Sequence, residues 1–298
     1  MKIPVLAAPT ASGKTAISLA LAKKLPIEIV SADAMMVYKE MDIGTAKPTA
    51  VERTVAPHHM IDIVAPDESF SVVDYVKAAE KIIAEILARG KIPFVVGGTG
   101  FYIRGLTNGL PTIPKIDEGA QKSLWEVFER DGLEPLQLEL ENFSPVDAER
   151  TQRNPRRVIR ALEIIRRTGK APSEFPNTTP AFEYNKIVLL PEIELLQERI
   201  VARAEKMFED GLVKEVKTLI SKYPILNTAK QAIGYKEVIE FLDGKSSIEE
   251  SKEKIIIATR QYAKRQRTWF KREKNAFVFE DIAENTIDEL KDIVGSQA

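Results

Sequence analysis

The chain is expected to fold as an α/β protein: a P-loop NTPase-like parallel sheet core carrying a helical insertion domain. Three observations lead there. From Ile3 to Val96, apolar runs of strand length alternate with amphipathic runs of helix length, as in a parallel sheet with crossover helices. The stretch Ala8-Pro9-Thr10-Ala11-Ser12-Gly13-Lys14-Thr15 joins the first such strand to the first such helix. After Pro111 the strands stop, and short helical runs broken by prolines continue to about Asn185.

Bulk composition sets the outer limits. A chain of 298 residues fits one large domain or a core with an appendage, and 44% hydrophobic residues supply a real core. The formal net charge is −1, so any basic surface for nucleic acid must be local. Cysteine is absent, which excludes disulfides, Cys-based zinc sites and thiol nucleophiles. Met1-Lys2-Ile3 leads straight into the first strand without a signal or transit pattern. No apolar run approaches the roughly 20 residues of a membrane span. A cytoplasmic protein with no membrane association is expected.

Ile3 to Ala7 reads as the first strand. Pro4 cannot donate to a sheet ladder and belongs at its beginning. Ala16 to Leu25 has helical spacing. The loop between them has the form of a phosphate cradle, whose amides converge at a helix N-terminus where the dipole favours anions. Lys14 adds a point charge near the outer phosphates. Gly13 lets the backbone approach the ligand, and the Thr15 hydroxyl can ligate Mg²⁺. Ala8 stands where G-x-x-x-x-G-K-[ST] has its first glycine.

Ile27 to Ser31 reads as a second buried strand ending in Ala32-Asp33. Met35 to Pro48 is mixed and contains a loop, Asp42-Ile43-Gly44-Thr45, beside the expected site. His58 and His59 are expected on a loop; adjacent side chains diverge and suit a metal poorly. Val72 to Arg89 is an amphipathic helix with Val72, Val76, Ala79, Ile83 and Ile86 on one face. Ile92 to Val96 is a third strand, followed by Gly97-Gly98-Thr99-Gly100. Ligands of parallel sheets bind at strand C-terminal ends, and three such ends carry polar or glycine-rich chemistry here.

The core is expected over 1–112 and 186–298, with the insertion over 113–185. The longest insertion helix starts near Pro155 and carries Arg156, Arg157, Arg160, Arg166 and Arg167. Lys186 to Leu190 returns as a strand. Helices follow over Glu192 to Asp210, Leu212 to Lys222, Lys236 to Leu242 and Ile248 to about Arg272, with a last strand at Phe277 to Phe279. In the long helix Arg260, Lys264, Arg267 and Lys271 recur at helical spacing, and Tyr262, Gln266 and Trp269 share another face. A basic face with interleaved aromatics suits a phosphate backbone. Two basic patches on a neutral chain suggest a clamp.

On residues alone the cradle fits phosphoryl transfer, with Asp33 holding Mg²⁺. The third strand ends in glycine rather than aspartate, and no base-specificity motif stands out. A nucleoside or small-metabolite kinase and a non-catalytic RNA-binding protein both stay open at this point.

Seven stretches, in order, resemble the bacterial tRNA dimethylallyltransferase family. They are the cradle itself, Ser31-Ala-Asp33, Val37 to Pro48, Gly97-Gly-Thr-Gly-Phe-Tyr102, Asn154 to Glu163, Gln231-Ala-Ile-Gly-Tyr-Lys236, and Thr259 to Gln266 with Thr268-Trp-Phe270. The departures are Ala8 in place of the first glycine, Ala34 and Met36 in place of polar residues, and Gln152-Arg153 in place of a His-Pro pair.

The resemblance implies transfer of a dimethylallyl group from dimethylallyl diphosphate to an adenosine amine beside the anticodon of tRNA, with Mg²⁺ as cofactor. It implies Asp33 as general base, Thr99 on the reacting groups, and Arg203 on the leaving diphosphate. It implies tRNA contacts at Asp33, Ala34, Met35, Met36 and Thr99 around the target base. Further contacts are implied at Gln121, Arg156, Arg157, Val158, Ile159 and Arg160 of the insertion. A third set is Gln231, Ala232, Ile233, Gly234, Tyr235 and Lys236. Lys264, Arg265, Arg267, Trp269 and Lys271 complete it on the C-terminal helix. A monomer is expected, since one tRNA can occupy both basic patches of one chain.

Overall fold

The computed structural model describes residues 2–223, 228–280 and 284–296, with the side chains of 284 and 285 left out. It divides into two compact units, Met1–Thr107 with Ala181–Ala298, and Asn108–Pro180.

The larger unit is built on one parallel sheet. Its strands are β1 (Ile3–Ala7), β2 (Ile27–Ala32), β3 (His58–His59), β4 (Ile92–Gly97), β5 (Tyr184–Leu189) and β6 (Ala276–Phe279). They lie in the order β3-β2-β4-β1-β5-β6. β1, β2 and β4 are buried along their whole length. Their residues alternate between two cores, as the two-residue period of a strand requires. Ile3, Val5 and Ala7 join one cluster with Val30, Val95 and Val188. Leu6, Ile29, Phe94 and Ile187 join the other.

Helices cover both faces. On the first lie α3 (Val72–Ala88), α4 (Gly100–Asn108), α9 (Ile193–Glu209), α10 (Leu212–Lys222), α11 (Tyr235–Leu242) and α12 (Ile248–Phe270). On the second lie α1 (Lys14–Ala22) and α13 (Glu284–Gly295). The short α2 (Ala50–Val55) precedes β3. Capping boxes start three of these helices: Thr49 with Glu52, Ser71 with Asp74, and Ser247 with Glu250.

Pro4 is tolerated because β1 pairs with β4 only from Val5 onward. Ile3 donates toward the β5 side, to the Glu183 carbonyl at 2.7 Å. The proline nitrogen therefore faces the side where pairing has not begun.

His58 and His59 differ from the loop expected for them. They form a two-residue edge strand paired with Ile29 and Val30. The ring of His59 lies 2.7 Å from Glu28 Oε2, and Arg89 donates to the same oxygen at 2.6 Å. The hydrogen bond from Arg89 is the main force lowering the Glu28 pKa. The partner across the strand pair is what draws this polar dipeptide into the sheet.

The smaller unit holds α5 (Glu118–Asp131), α6 (Glu134–Phe143), α7 (Pro145–Thr151) and α8 (Pro155–Thr168). Its own core gathers Leu124, Leu136, Leu140, Val158, Ile159 and Leu162. Its first and last segments are clasped by an isolated Pro111–Asn177 bridge and by the Leu110 amide on Thr178 Oγ1 at 3.0 Å.

Candidate active site

The loop after β1 rises from the sheet through Ala8, whose amide donates to the Gly97 carbonyl at 3.0 Å. Ala8 is fully buried and its φ is negative, so a methyl group packs where other cradles have glycine. The left-handed turns fall instead on Ala11 (φ 60°) and Gly13 (φ 86°). Ser12 is buried, and its hydroxyl accepts from the Lys14 amide at 3.3 Å. Thr10 is held by a residue from the far end of the chain: its amide donates to Gln266 Oε1 at 2.8 Å. Gln266 Nε2 donates in turn to the Gly98 carbonyl at 2.7 Å. One α12 side chain thus ties the cradle to the loop after β4.

The ends of β2 and β4 form the adjoining wall. Asp33 Oδ1 accepts from the amides of Met35 at 2.9 Å and Met36 at 3.4 Å. Thr99 Oγ1 accepts from the Ala34 amide at 2.9 Å. The Tyr262 phenol, close to Asp33, Thr99 and Gln266, is pushed up to about 12, first by burial and then by the aspartate charge. It is a neutral hydrogen-bonding group at any working pH.

α9 supplies the third wall. Arg203 Nη1 donates to Thr10 Oγ1 at 3.0 Å and Nη2 to the Thr45 carbonyl at 3.5 Å. Arg199, one turn earlier, donates to the Ser12 carbonyl at 3.3 Å. Burial lowers the Arg203 pKa, with Asp33 opposing it. Lys14 is partly exposed, and its ammonium donates to the Pro9 carbonyl at 3.4 Å. Burial brings its pKa from 10.5 down to about 8.

These groups share a cavity of about 340 Å³ whose lining includes Thr10, Lys14, Asp33, Thr99 and Arg203. Met35, Ile200, Ala204, Met207 and Ile255 give it an apolar side. The lining offers cationic groups, Lys14 and Arg203, a carboxylate, Asp33, and an apolar side in one cavity, a combination suited to an anion that carries an apolar group.

The other positions singled out in the sequence are distributed as follows. Ala34, Gln231, Ala232 and Ile233 line the same cavity. Met36 lies beside it, with its sulfur 3.8 Å from Ser31 Oγ. Gly234 takes φ 97° and donates to Glu237 at 2.7 Å. Tyr235 is buried, whereas Lys236 is exposed. Lys264, Arg265 and Lys271 are exposed along and just past α12; Arg267 is bound to the Pro191 carbonyl. Trp269 lies flat on Gly100, where an added Cβ would come within 2.6 Å of the indole nitrogen.

In the helical unit Arg156 and Arg157 are exposed. Val158 and Ile159 are corrected: they are apolar positions of an amphipathic helix and point into its core, at 0% and 1% exposure. The Val158 amide is spent within the helix as well, on the Asn154 carbonyl at 3.0 Å. Arg160 and Gln121 are both drawn to the buried Glu163, which also binds Arg167. Gln266 and Tyr262 were absent from the expected site. Their signal was a polar pair four residues apart on the inner face of α12.

The residues suit a bound Mg²⁺ that takes most of its ligands from a substrate. Thr15 faces a second opening beside the cradle with Gly13 and Lys14. Among the described residues no group of three or more His, Cys, Asp or Glu is placed to hold a metal by itself. One hydroxyl plus phosphate oxygens is a donor set suited to a hard cation.

A parallel sheet with a phosphate cradle after β1, and a carboxylate after β2 on the far side of β4, is the frame of a P-loop-like enzyme. Residues 36–273 match the family model described as IPP transferase, and residues 1–61 match isopentenyl transferase. A tRNA dimethylallyltransferase of Thermus thermophilus is 51% identical over 93% of this chain and 92% of its own. One from Deinococcus radiodurans is 43% identical over 93% and 92%. The full-length tRNA isopentenylpyrophosphate transferase structure from Bacillus halodurans superposes with TM-score 0.74 at 38% identity, covering 99% of this chain and 96% of that one. The chain belongs to the tRNA dimethylallyltransferase family.

Proposed function

We propose that this chain transfers a dimethylallyl group from dimethylallyl diphosphate to the exocyclic N6 amine of the adenosine adjacent to the anticodon in tRNA, releasing diphosphate. The observation that carries the reading is the Asp33 carboxylate in one cavity with the cradle, Lys14 and Arg203. A carbon–oxygen bond breaks, a carbon–nitrogen bond forms, and the amine proton goes to Asp33.

The adenine amine is a weak nucleophile because its lone pair is delocalised into the ring. A base that takes its proton as the bond forms lowers that barrier. Asp33 is held for this role by the amides of Met35 and Met36, which bind one oxygen. Thr99, fixed by the Ala34 amide, sits in the same lining to meet the reacting groups. Loop amides, Lys14 and Arg203 are in place before the diphosphate leaves, so little reorganisation is needed as its charge develops. Mg²⁺, held by Thr15 and the diphosphate, would neutralise part of that charge. The target base must leave its stack to reach the cavity, which a single-stranded loop makes easier. A bound tRNA also closes the cavity to water, protecting an allylic centre with cationic character.

We place the tRNA on the exposed arginines of α8 and the exposed lysines of α12. One chain then carries both surfaces and works as a monomer. Among the described residues no helix is long and apolar enough to cross a membrane. A cytoplasmic enzyme is the reading that fits its substrate.

The test is single-turnover transfer of labelled dimethylallyl to unmodified tRNA by Asp33→Asn across a Mg²⁺ titration. Loss of a general base lowers the rate by about 10²–10⁴-fold. Binding of tRNA and of a non-reactive diphosphate analogue should persist. Full rescue by Mg²⁺ would instead make Asp33 a metal ligand, as in a kinase. A near-normal rate would remove it from the chemistry.

A further inference from the structure

We propose that Glu215 and Tyr235 are positioning residues: they fix the loop Met41–Thr45 from behind, and through it set Arg203 in the cavity. The inference rests on the reading of Arg203 as a partner of the leaving diphosphate.

Glu215 lies on α10, outside the cavity lining. Its Oε2 accepts from the amides of Asp42 at 3.1 Å and Ile43 at 2.8 Å. Its Oε1 accepts from the Gly44 amide at 3.3 Å and the Tyr235 hydroxyl at 2.6 Å. Three successive amides turned toward one carboxylate make an anion nest, filled here by the chain's own side chain. Tyr235 closes it from the other side. A Cβ on Gly44 would stand 2.4 Å from the tyrosine ring, so the ring rests directly on the glycine backbone. That approach is open only to glycine.

Inside the loop the remaining groups are also taken up. Thr45 Oγ1 donates to the Met41 carbonyl at 2.6 Å. The buried Lys47 ammonium donates to the Tyr38 carbonyl at 2.5 Å and to Asp42 at 2.8 Å. The backbone on either side of Gly44 therefore has little freedom. What the loop presents to the site is the Thr45 carbonyl, one of two acceptors for Arg203; the other is Thr10 of the cradle. Arg203 has no carboxylate partner within salt-bridge distance among the described residues. Among the described residues, the hydrogen bonds that fix its guanidinium run to these two oxygens.

Glu215→Gln keeps one acceptor oxygen and sets an NH₂ group against the Gly44 amide, or against those of Asp42 and Ile43 if it is turned, so the loop must shift. Tyr235→Phe removes one hydrogen bond and leaves the ring on Gly44. A shift of about 1 Å in a group that orients substrate can cost up to 10²-fold in rate. We expect Glu215→Gln to lower kcat/KM for dimethylallyl diphosphate by about 10–100-fold, with tRNA affinity retained. Tyr235→Phe should move it in the same direction by less, and it carries the test if the first variant does not fold.

The decisive comparison is a double-mutant cycle with Arg203→Lys, which keeps the charge but cannot bridge the two acceptors in the same way. In that background Glu215→Gln should cost less than about twofold, because its route to the substrate is already cut. Equal losses in both backgrounds, or no loss in the wild-type background, would overturn the relay. Arg203→Lys with wild-type use of the diphosphate would overturn the reading of Arg203 itself, and the relay with it.

Discussion

Lys14 illustrates how a single residue couples its charge to its ligand. Its pKa of about 8 reflects burial more than the opposing influences of Asp33 and Arg203. A diphosphate in the proposed cradle would bring negative charge to the ammonium and raise that pKa. Below about pH 8 the free protein already holds the proton, so affinity is flat with pH on this account. Above it the proton must be taken up on binding, and affinity falls by about tenfold per pH unit until the pKa of the bound state is reached. We expect this decline between about pH 8 and 9.5 in calorimetry with a non-reactive diphosphate analogue, with proton uptake visible as a buffer-dependent heat. Lys14→Arg, charged throughout, should flatten the profile even if its affinity is lower. A wild-type profile that stays level to pH 9.5 would mean that the ammonium is not at the anion.

At the level of elements, the two basic helices differ in which of their cations are free. On α8, Arg157 is exposed and its guanidinium donates to Gln152 at 3.4 Å, whereas Arg160 and Arg167 converge on the buried Glu163. On α12, Lys264 is exposed and Arg267 is spent on the Pro191 carbonyl. Arg157→Ala and Lys264→Ala should each reduce the log–log salt slope of tRNA binding by about 0.7–0.9, the share of one phosphate contact. Arg160→Ala should leave that slope nearly unchanged and lower the thermal stability of the helical unit instead, since Glu163 loses a partner in a buried site. Salt titrations of all three variants separate the roles; a full slope change from Arg160→Ala would return it to the RNA surface.

The same contrast explains what could be read in advance. β1, β2 and β4 were legible as strands, because burial on both faces leaves continuous apolar runs. α3 was legible because one apolar stripe faces the sheet. The cradle is a local motif and needs no tertiary knowledge. β3 was not legible, since it is held by pairing with Ile29 and Val30 and by the contact of His59 with Glu28. α4 starts at Gly100, in a glycine-rich stretch that reads as a loop. The roles of Gln266, Glu215 and Tyr235 were hidden for a further reason. Each acts on backbone more than 150 residues away, and no local spacing records such a pairing.

For the whole molecule, the important fact is that the two units have separate hydrophobic cores. The sheet, the cradle and Asp33 belong to one; α5 to α8 close around Leu124, Leu136, Leu140 and Leu162 in the other. The proposed chemistry depends only on the first, and part of the proposed tRNA grip depends on the second. A unit as small as 108–180 has a limited core and little stability in reserve. Leu140 is fully buried there, and its truncation to alanine should cost about 2–5 kcal/mol. Such a loss populates the open form of the helical unit and withdraws its arginines from RNA. We expect Leu140→Ala to weaken tRNA binding in proportion to the fraction of the helical unit that it opens. Affinity for the diphosphate analogue should stay within about twofold, because no residue of the cradle draws on that core. Calorimetric unfolding should show the helical transition moving to lower temperature while the transition of the sheet unit holds. A parallel fall in analogue affinity would mean that the two cores unfold as one cooperative block, and the division of labour between them would be wrong.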